Sequence, residues 1–498
     1  MILRLTRIGY HDIRKECTSF YNSGMKYPTT LPLLYRVIKP DKIVIVVLDS
    51  LFYRVEDSSI VYDDILDFVK KDTLEYVHRV VGVELLDRIK VLVLPAVGNY
   101  DNTRIKSKEG DIVSLEFHNR SLREFSVFLE YLLVRELEDV IGQDRLELHV
   151  DLIHGINFLP ALTLDVVKNV TNILAMFTSL NVITYNADPY MEGKDLEIHT
   201  PILYNVVSDF TLHSILTYKP LRTLGVDWDY TEFAKYLNGV LGALSGGYPL
   251  ALLHFLDKLM KHLNVNNLNG VVQILSEILS KVYNKYIESQ KVIVQGDDTY
   301  VVRVVFQDSS KINFEVFRRL VGAYLVLKSL CAEGKIQKYL DYYGYGFIKI
   351  RDLERMIQEI KVFSKRRQLK SLLSERGLGE LIRDLEDPRS RIVLNLVYAK
   401  RKLRDLNGKP LVEVCSGGQR TFKKDNFWAH LGFERNITYL KIVAENHLKE
   451  AVNKPYNHVI KEYKQADIPR KLRECIGLCY KLVNLEDEVL DALRRHLK

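Results

Sequence analysis

The stretch DKIVIVVLDSL, residues 41–51, decides the fold class. Six consecutive apolar residues, Ile43 to Leu48, fill its centre, and five of them are β-branched. A strand with one face in water alternates apolar and polar residues, whereas an unbroken run is buried on both faces. Such a strand belongs inside a sheet covered by helices. Similar runs recur on either side of it: ILRLTRIGY (2–10), DRIKVLVLPAVG (87–98), RLELHVDLIHG (145–155) and NVITYNADPY (181–190), with IHTPILYNVV (198–207) as an edge strand. Helical patterns lie between them, clearest in SLREFSVFLEYLLVREL (121–137) and FLPALTLDVVKNVTNILAMFT (158–178). Strands alternating with helices predict an α/β, largely parallel, Rossmann-like sheet whose ligands bind at the carboxyl ends of the strands.

After about residue 208 the pattern changes. Helical periodicity dominates 229–262, 267–289, 314–332, 350–373, 388–404, 423–450 and 469–497. The exception is KVIVQGDDTYVVRVVFQ (291–307), two β-branched runs around a Gly-Asp-Asp turn, which predicts a β-hairpin inserted among helices. The expected organisation is a Rossmann-like domain over residues 1–207 and a mainly α-helical region over residues 208–498.

Composition fits this reading. The chain has 498 residues, 47% hydrophobic and 27% charged, which suits a soluble protein of more than one domain. Its formal net charge of +7 suits an anionic partner and an ordinary soluble protein equally. Cys17, Cys331, Cys415, Cys475 and Cys479 include no C-x-x-C pair, so neither a zinc ribbon nor a redox motif is expected. The four-residue spacing of Cys475 and Cys479 suits one helix face, and a reducing cytoplasm is the expected location. No apolar run is long enough to span a membrane, and no metal constellation is legible.

The strand-to-helix loops are the candidate binding elements. IGYHD (8–12) carries Gly9 and Tyr10, and NSGMKYPTTLPLLY (22–35) sets Lys26, Thr29 and Thr30 at a helix start, where donors suit a phosphate. LPAVGNYDNTR (94–104) offers Gly98, Asn99 and Tyr100, and DLIHGINFLP (151–160) offers His154, Gly155 and Asn157. Neither G-x-G-x-x-G nor G-x-x-x-x-G-K-[ST] occurs, so these are not the fingerprints of dinucleotide or P-loop enzymes. Glycines let backbone N–H groups approach an anion; the alternative is loop capping without a ligand.

Three of these segments resemble a known family in order and spacing. DLIHGINFLP is similar to the Asp-x-Thr-His-Gly-x-Asn-x-x-Pro segment of CARF domains in CRISPR-associated ribonucleases, with Ile153 in place of threonine. LPAVGNYDN is similar to their Gly-x-Tyr segment, and DKIVIVVLDSL to their second strand. The resemblance covers roughly the first 205 residues. It implies a sensor of the cyclic oligoadenylates that type III CRISPR complexes make on detecting foreign RNA.

A second resemblance lies in NFWAHLGFERN (426–436). Asn426 and His430 stand one helical turn apart and share a face, beside Phe427, Trp428 and Phe433. Read alone, such a histidine is more often a core residue. The stretch resembles the Asn-x-x-Ala-His-x-Gly-x-Glu-x-Asn pattern of the HEPN ribonuclease domain that follows CARF, whose motif is R-x(4–6)-H. The resemblance implies His430 as general acid or base and Asn426 as a phosphate or histidine anchor. Asp425 occupies the arginine's place at the commonest spacing. Either Lys424 or Lys423 substitutes, or Arg420 folds in from the glycine-rich loop, or the nuclease is weakened.

What the resemblance implies is a metal-independent endoribonuclease that cleaves single-stranded RNA, needs no cofactor, and is activated by a cyclic oligoadenylate, cyclic tetra-adenylate foremost. It would work as a homodimer or higher homo-oligomer, with no membrane partner. The rival is a CARF-containing regulator that binds RNA or DNA without cutting it.

Overall fold

The computed structural model describes residues 2–6, 30–53, 55, 59–81, 87–101, 112–152, 158–187, 198–205, 230–296, 299–307, 312–344, 347–364, 438–442, 476–480, 486–495 and 497. The described chain begins with β1 (Ile2–Thr6), α1 (Thr30–Ile38), β2 (Lys42–Leu48), α2 (Tyr62–Val81), β3 (Ile89–Leu94), β4 (Gly98–Asp101) and β5 (Ile112–His118). Next come α3 (Leu122–Glu136), β6 (Arg145–Asp151), α4 (Phe158–Leu174), β7 (Ser179–Ala187) and β8 (Ile198–Asn205). The middle of the chain holds α5 (Tyr230–Gly246), α6 (Pro249–His262), α7 (Leu268–Glu288), the strands β9 (Gln290–Gln295) and β10 (Thr299–Phe306), and α8 (Phe314–Ala332). The remainder comprises α9 (Ile336–Gly344), β11 (Ile348–Lys349), α10 (Ile350–Glu359), α11 (Lys361–Ser364), β12 (Thr438–Ile442), β13 (Ile476–Tyr480) and α12 (Glu486–Arg494).

Two compact units result. The first contains Met1–Asp209, Lys219–Asp227 and Leu275–Leu325. Its main sheet has the order β3-β2-β1-β6-β7-β8. Strand β2 is parallel to β3 and β6 to β7, while β1 runs antiparallel to both β2 and β6 and β8 runs antiparallel to β7. Four strands therefore point one way, and the sheet is more mixed than the strand–helix alternation predicts. Reversing β1 between two co-directional neighbours preserves both ladders, with Ile2 opposite Ile45 and Asp151. The carboxyl ends of β2, β3, β6 and β7 share one edge of the sheet.

The run at 43–48 is buried as its composition requires: Ile43, Val44, Ile45, Val46 and Leu48 are all core residues. On one face Ile43 and Ile45 pack with Ile89, Val91, Leu31 and Val77. Within the neighbouring β6–β7 pair, His149 is held through Nε2 by Glu147 at 2.8 Å and through Nδ1 by the Tyr185 hydroxyl at 2.7 Å. All three are buried, and the polar groups are hydrogen-bonded as groups inside a core must be.

A second sheet of order β4-β5-β10-β9 belongs to the same unit. The two β-branched runs expected at 291–307 pair antiparallel as β9 and β10, with Gly296 at positive φ. Their setting differs from the expectation of a hairpin among helices, because β10 pairs in parallel with β5, Val302 opposite Leu115. The same unit also takes in part of the two helices that flank the hairpin. Phe128 and Tyr131 of α3 pack on Tyr283 and Tyr286 of α7 and on Phe314 and Phe317 of α8, with ring centroids 4.2–5.8 Å apart. Arg318 Nε donates to buried Glu130 at 2.7 Å. Ladder pairing and aromatic burial thus draw residues 275–325 to the first unit, whereas the sequence boundary at 207/208 assigned them to the helical region.

The second unit contains Phe210–Tyr218, Trp228–Ile274 and Val326–Lys498. The helical pattern over 229–262 is two helices, divided where Gly247 takes positive φ and Pro249 opens α6. Helix α6 is buried from Pro249 to Leu256 and again at Leu259 and Met260, which makes it the centre of this unit. Gly239 of α5 admits it closely, since a Cβ there would lie 2.5 Å from the Phe255 ring.

Three strands in order β11-β13-β12 correct the helical expectation for parts of 423–450 and 469–497. Strands β12 and β13 pair antiparallel, with Leu440 opposite Leu478. Their sequences, TYLKI and IGLCY, are rich in β-branched and aromatic residues, and ladder pairing overrides a weak helical period. Cys479 therefore lies on a strand and not on a helix, and Cys475 lies outside the described residues. The helical pattern predicted at 388–404 lies outside the described residues.

Candidate functional site

The carboxyl edge of the first unit's main sheet is built around Asp49, the residue that follows the last position of β2. Its carboxylate accepts three hydrogen bonds: from the Ala96 N–H at 2.7 Å, the Tyr62 hydroxyl at 2.8 Å and Arg120 Nη1 at 2.6 Å. Both charged side chains of the Asp49–Arg120 pair are 0% exposed. Buried charge is costly unless paired and hydrogen-bonded, and here every partner is supplied by protein.

Arg120 reaches this position through local structure. Strand β5 ends at His118, and Asn119 takes a left-handed φ of 61°, which turns the chain. Ser121 then caps α3, with Glu124 reaching back to the Ser121 N–H in a capping box. Between turn and cap, the Arg120 guanidinium lies 4.8 Å from the Phe117 ring centroid and 5.0 Å from that of Tyr62. Its Nε and Nη2 donate to Gln290 Oε1 at 3.0 and 2.9 Å, and Nη1 also approaches the Ala96 carbonyl at 3.4 Å. One guanidinium thus ties together the end of β2, the β3–β4 connection and the first residue of β9.

The electrostatics follow from this burial. Desolvation raises the Tyr62 hydroxyl pKa well above its usual range, Asp49 adds to the rise and Arg120 opposes it. Burial works against the Arg120 charge, yet its acidic and phenolic neighbours, Tyr62 and Asp49 first, raise its pKa. Burial also raises Tyr100, followed by the Asp49 charge.

Gly98, Asn99 and Tyr100 form strand β4 rather than the loop expected from sequence, since all three pair with β5: Gly98 opposite Phe117, Asn99 opposite Glu116 and Tyr100 opposite Leu115. Gly98 has φ +90°, a conformation that favours glycine. Tyr100 packs edge-on against Phe117 at 5.8 Å, and Asn99 is exposed. Thr30 is the first residue of α1. Gly9, Tyr10, Lys26, Thr29, His154, Gly155 and Asn157 lie outside the described residues, as do Arg420, Lys424, Asn426 and His430. Among the described residues no group of three or more His, Cys, Asp and Glu could hold a metal ion, and no helix is long and apolar enough to cross a membrane.

A surface cavity of about 490 Å³, lined by Asp67, Lys70, Lys71, Leu74, Glu75, His78 and Ile89, sits instead at the amino end of β3. Its mixed charges single out no ligand.

Asp49, Tyr62, Arg120 and Gln290 were not singled out from sequence. Asp49 had a signal, a carboxylate directly after an all-apolar strand, and Arg120 a weaker one, a cation preceding a Ser-x-x-Glu capping box. Gln290 had none, because its partner is 170 positions away.

Residues 8–189 match the family model described as the CARF domain of the CRISPR system endoribonuclease Csx1. Over this segment the chain is similar to a CARF domain. The CARF match spans β2 to β7, so the Asp49–Arg120 pair and strand β4 fall inside it. Over 452 residues the chain is also 25% identical to the CRISPR system endoribonuclease Csx1 of Methanocaldococcus jannaschii, covering 88% of this chain and 86% of that protein. That similarity extends far past the CARF domain.

Proposed function

We propose that the protein is an endoribonuclease that cleaves single-stranded RNA without a metal ion when a cyclic oligoadenylate, cyclic tetra-adenylate foremost, occupies its CARF domain. The observation that carries the reading is the similarity to a protein named CRISPR system endoribonuclease over 88% of the chain, well beyond the sensor domain. In support, Ala96, in the connection from the carboxyl end of β3 to the glycine-led strand β4, is held by the buried Asp49–Arg120 pair.

In this reading the ring lies across a two-fold axis between two CARF domains, because a symmetric ligand suits a symmetric interface. Gly9, Tyr10, Lys26, Thr29, Thr30, Gly98, Asn99, Tyr100, His154, Gly155 and Asn157 are the candidate ring contacts. Occupancy favours the cleaving geometry of a distant HEPN-type pair, a coupling between two sites.

At the cleaving site RNA brings its own nucleophile. The 2′-oxygen attacks the adjacent phosphorus as a base takes its proton. The bond to the 5′-oxygen breaks and that oxygen is protonated, leaving a 2′,3′-cyclic phosphate and a 5′-hydroxyl. His430 serves as acid or base, since imidazole titrates near neutrality. Asn426 orients a phosphate oxygen or the imidazole. Lys424, or Arg420 from the glycine-rich loop, stabilises the developing negative charge.

The test is cleavage of a labelled single-stranded RNA in EDTA, with and without cyclic tetra-adenylate, beside His430→Ala. Ring-dependent cutting that the variant loses is the expected result. A folded protein that binds the ring and leaves RNA intact would favour the regulator reading, to which Asp425 in the arginine's place points.

A further inference from the structure

We infer that Arg120 is a positioning residue for the adenylate ring, an inference that rests on the proposed ring site at β4. Four observations carry it. Asp49 grips the Ala96 N–H two residues before Gly98, and Arg120 approaches the Ala96 carbonyl, so both polar groups of one peptide residue are directed by the ion pair. Arg120 also lies on the Phe117 ring, and Phe117 stands opposite Gly98 and packs against Tyr100. Backbone and side chain of the 96–100 segment are thus set from one guanidinium. Finally, Gln290 accepts from Nε and Nη2 together, which fixes the plane of the fork.

Two physical points give this arrangement a function beyond cohesion. An apolar pair of equal volume stabilises a core as well as a buried ion pair does, but it does not set the direction of a backbone N–H. In addition, Asp49 acts electrostatically on Tyr100. Left alone, that carboxylate would repel the phosphates of an anionic ring, and Arg120 cancels its charge where it stands. Lysine retains the charge and loses the fork.

Arg120→Lys is therefore the informative substitution, with Gln290→Leu as the second variant, since it leaves the Asp49–Arg120 contact in place while removing the acceptor that fixes the fork. Binding of cyclic tetra-adenylate is measured by calorimetry and RNA cleavage is titrated with the ring, while thermal melting reports folding. The expected result for Arg120→Lys is at least a tenfold weaker ring affinity. The ring concentration for half-maximal cleavage rises in parallel, and the maximal rate at saturation is retained. Gln290→Leu weakens affinity in the same direction by a smaller factor. A folded Arg120→Lys or Gln290→Leu with wild-type ring affinity overturns the inference, as does a fall in maximal rate with affinity unchanged. Should the unsubstituted protein fail to bind the ring, the proposed function fails instead, so the two failures are distinct.

Discussion

Replacing Asp49 by alanine strips a buried cation and two neutral donors of their acceptor at once. Arg120 Nη1, the Ala96 N–H and the Tyr62 hydroxyl all lose the partner they hold at 2.6–2.8 Å. Breaking a buried ion pair from one side costs about 3–5 kcal/mol, and each orphaned neutral donor adds on the order of 1 kcal/mol, with overlap. Arg120→Ala is milder, because Asp49 keeps the Ala96 and Tyr62 donors, while its charge goes uncompensated and Gln290 Oε1 loses the Arg120 donors. The double variant Asp49→Ala/Arg120→Ala removes both charges and leaves no buried ion unpaired, so it costs less than the sum of the two single variants. The resulting cycle gives a coupling of at least about 2 kcal/mol. A chain of two units need not unfold in one step, so the assay is native-state hydrogen exchange of peptides from β2, β3 and β4, which reports local opening free energies. A coupling below about 0.5 kcal/mol would refute the account of this pair.

Three other outcomes follow from particular contacts. Gly98→Ala meets no atom within 4 Å but must hold φ +90°, so its cost is conformational, about 1–2 kcal/mol, and cyclic tetra-adenylate affinity measured by calorimetry drops roughly tenfold. Burial pushes the Glu130 carboxyl up to about 7 although Arg318 is 2.7 Å away. The folded state therefore holds that proton longer than the unfolded one. This contribution to stability is fully present at acid pH and declines by about 1 kcal/mol per unit as pH rises from about 5 to 7, and urea midpoints of Glu130→Gln flatten across that window. Gly239→Ala drives a methyl into the Phe255 ring, costing about 1–3 kcal/mol by overpacking and lowering the melting temperature of the second unit; an unchanged melting temperature would contradict that packing.

The first unit's sheet was legible because its signal is local. Ile43–Leu48 cannot face water on either side, and the glycine-bearing segment after β3 marks where the chain turns back. What escaped was non-local. Strand β5, Ile112–His118, alternates polar and apolar residues weakly, and its partners lie at Gly98–Asp101 and Thr299–Val305. The pieces of the Asp49 site come from four separate elements, and no spacing rule links residue 49 to 120 or 290. In the second unit, the helical period read through residues 438–442 and 476–480 failed because each strand is five residues long, too short to outweigh its surroundings until paired. The candidate cleavage residues were legible only through a resemblance.

The parallel pairing of β5 with β10 also sets a timetable for biosynthesis. About 180 residues separate His118 from Thr299, including the stretch Trp228–Ile274 that belongs to the other unit. At about 5–20 residues per second, translation leaves β5 without its partner for roughly ten to forty seconds. During that interval it offers nascent neighbours an open edge carrying the sequence IVSLEF. The first unit cannot be completed before the segment that follows the first helices of the second unit has emerged. A messenger truncated before residue 299 would therefore yield a chain with an aggregation-prone strand, not a free-standing half-protein.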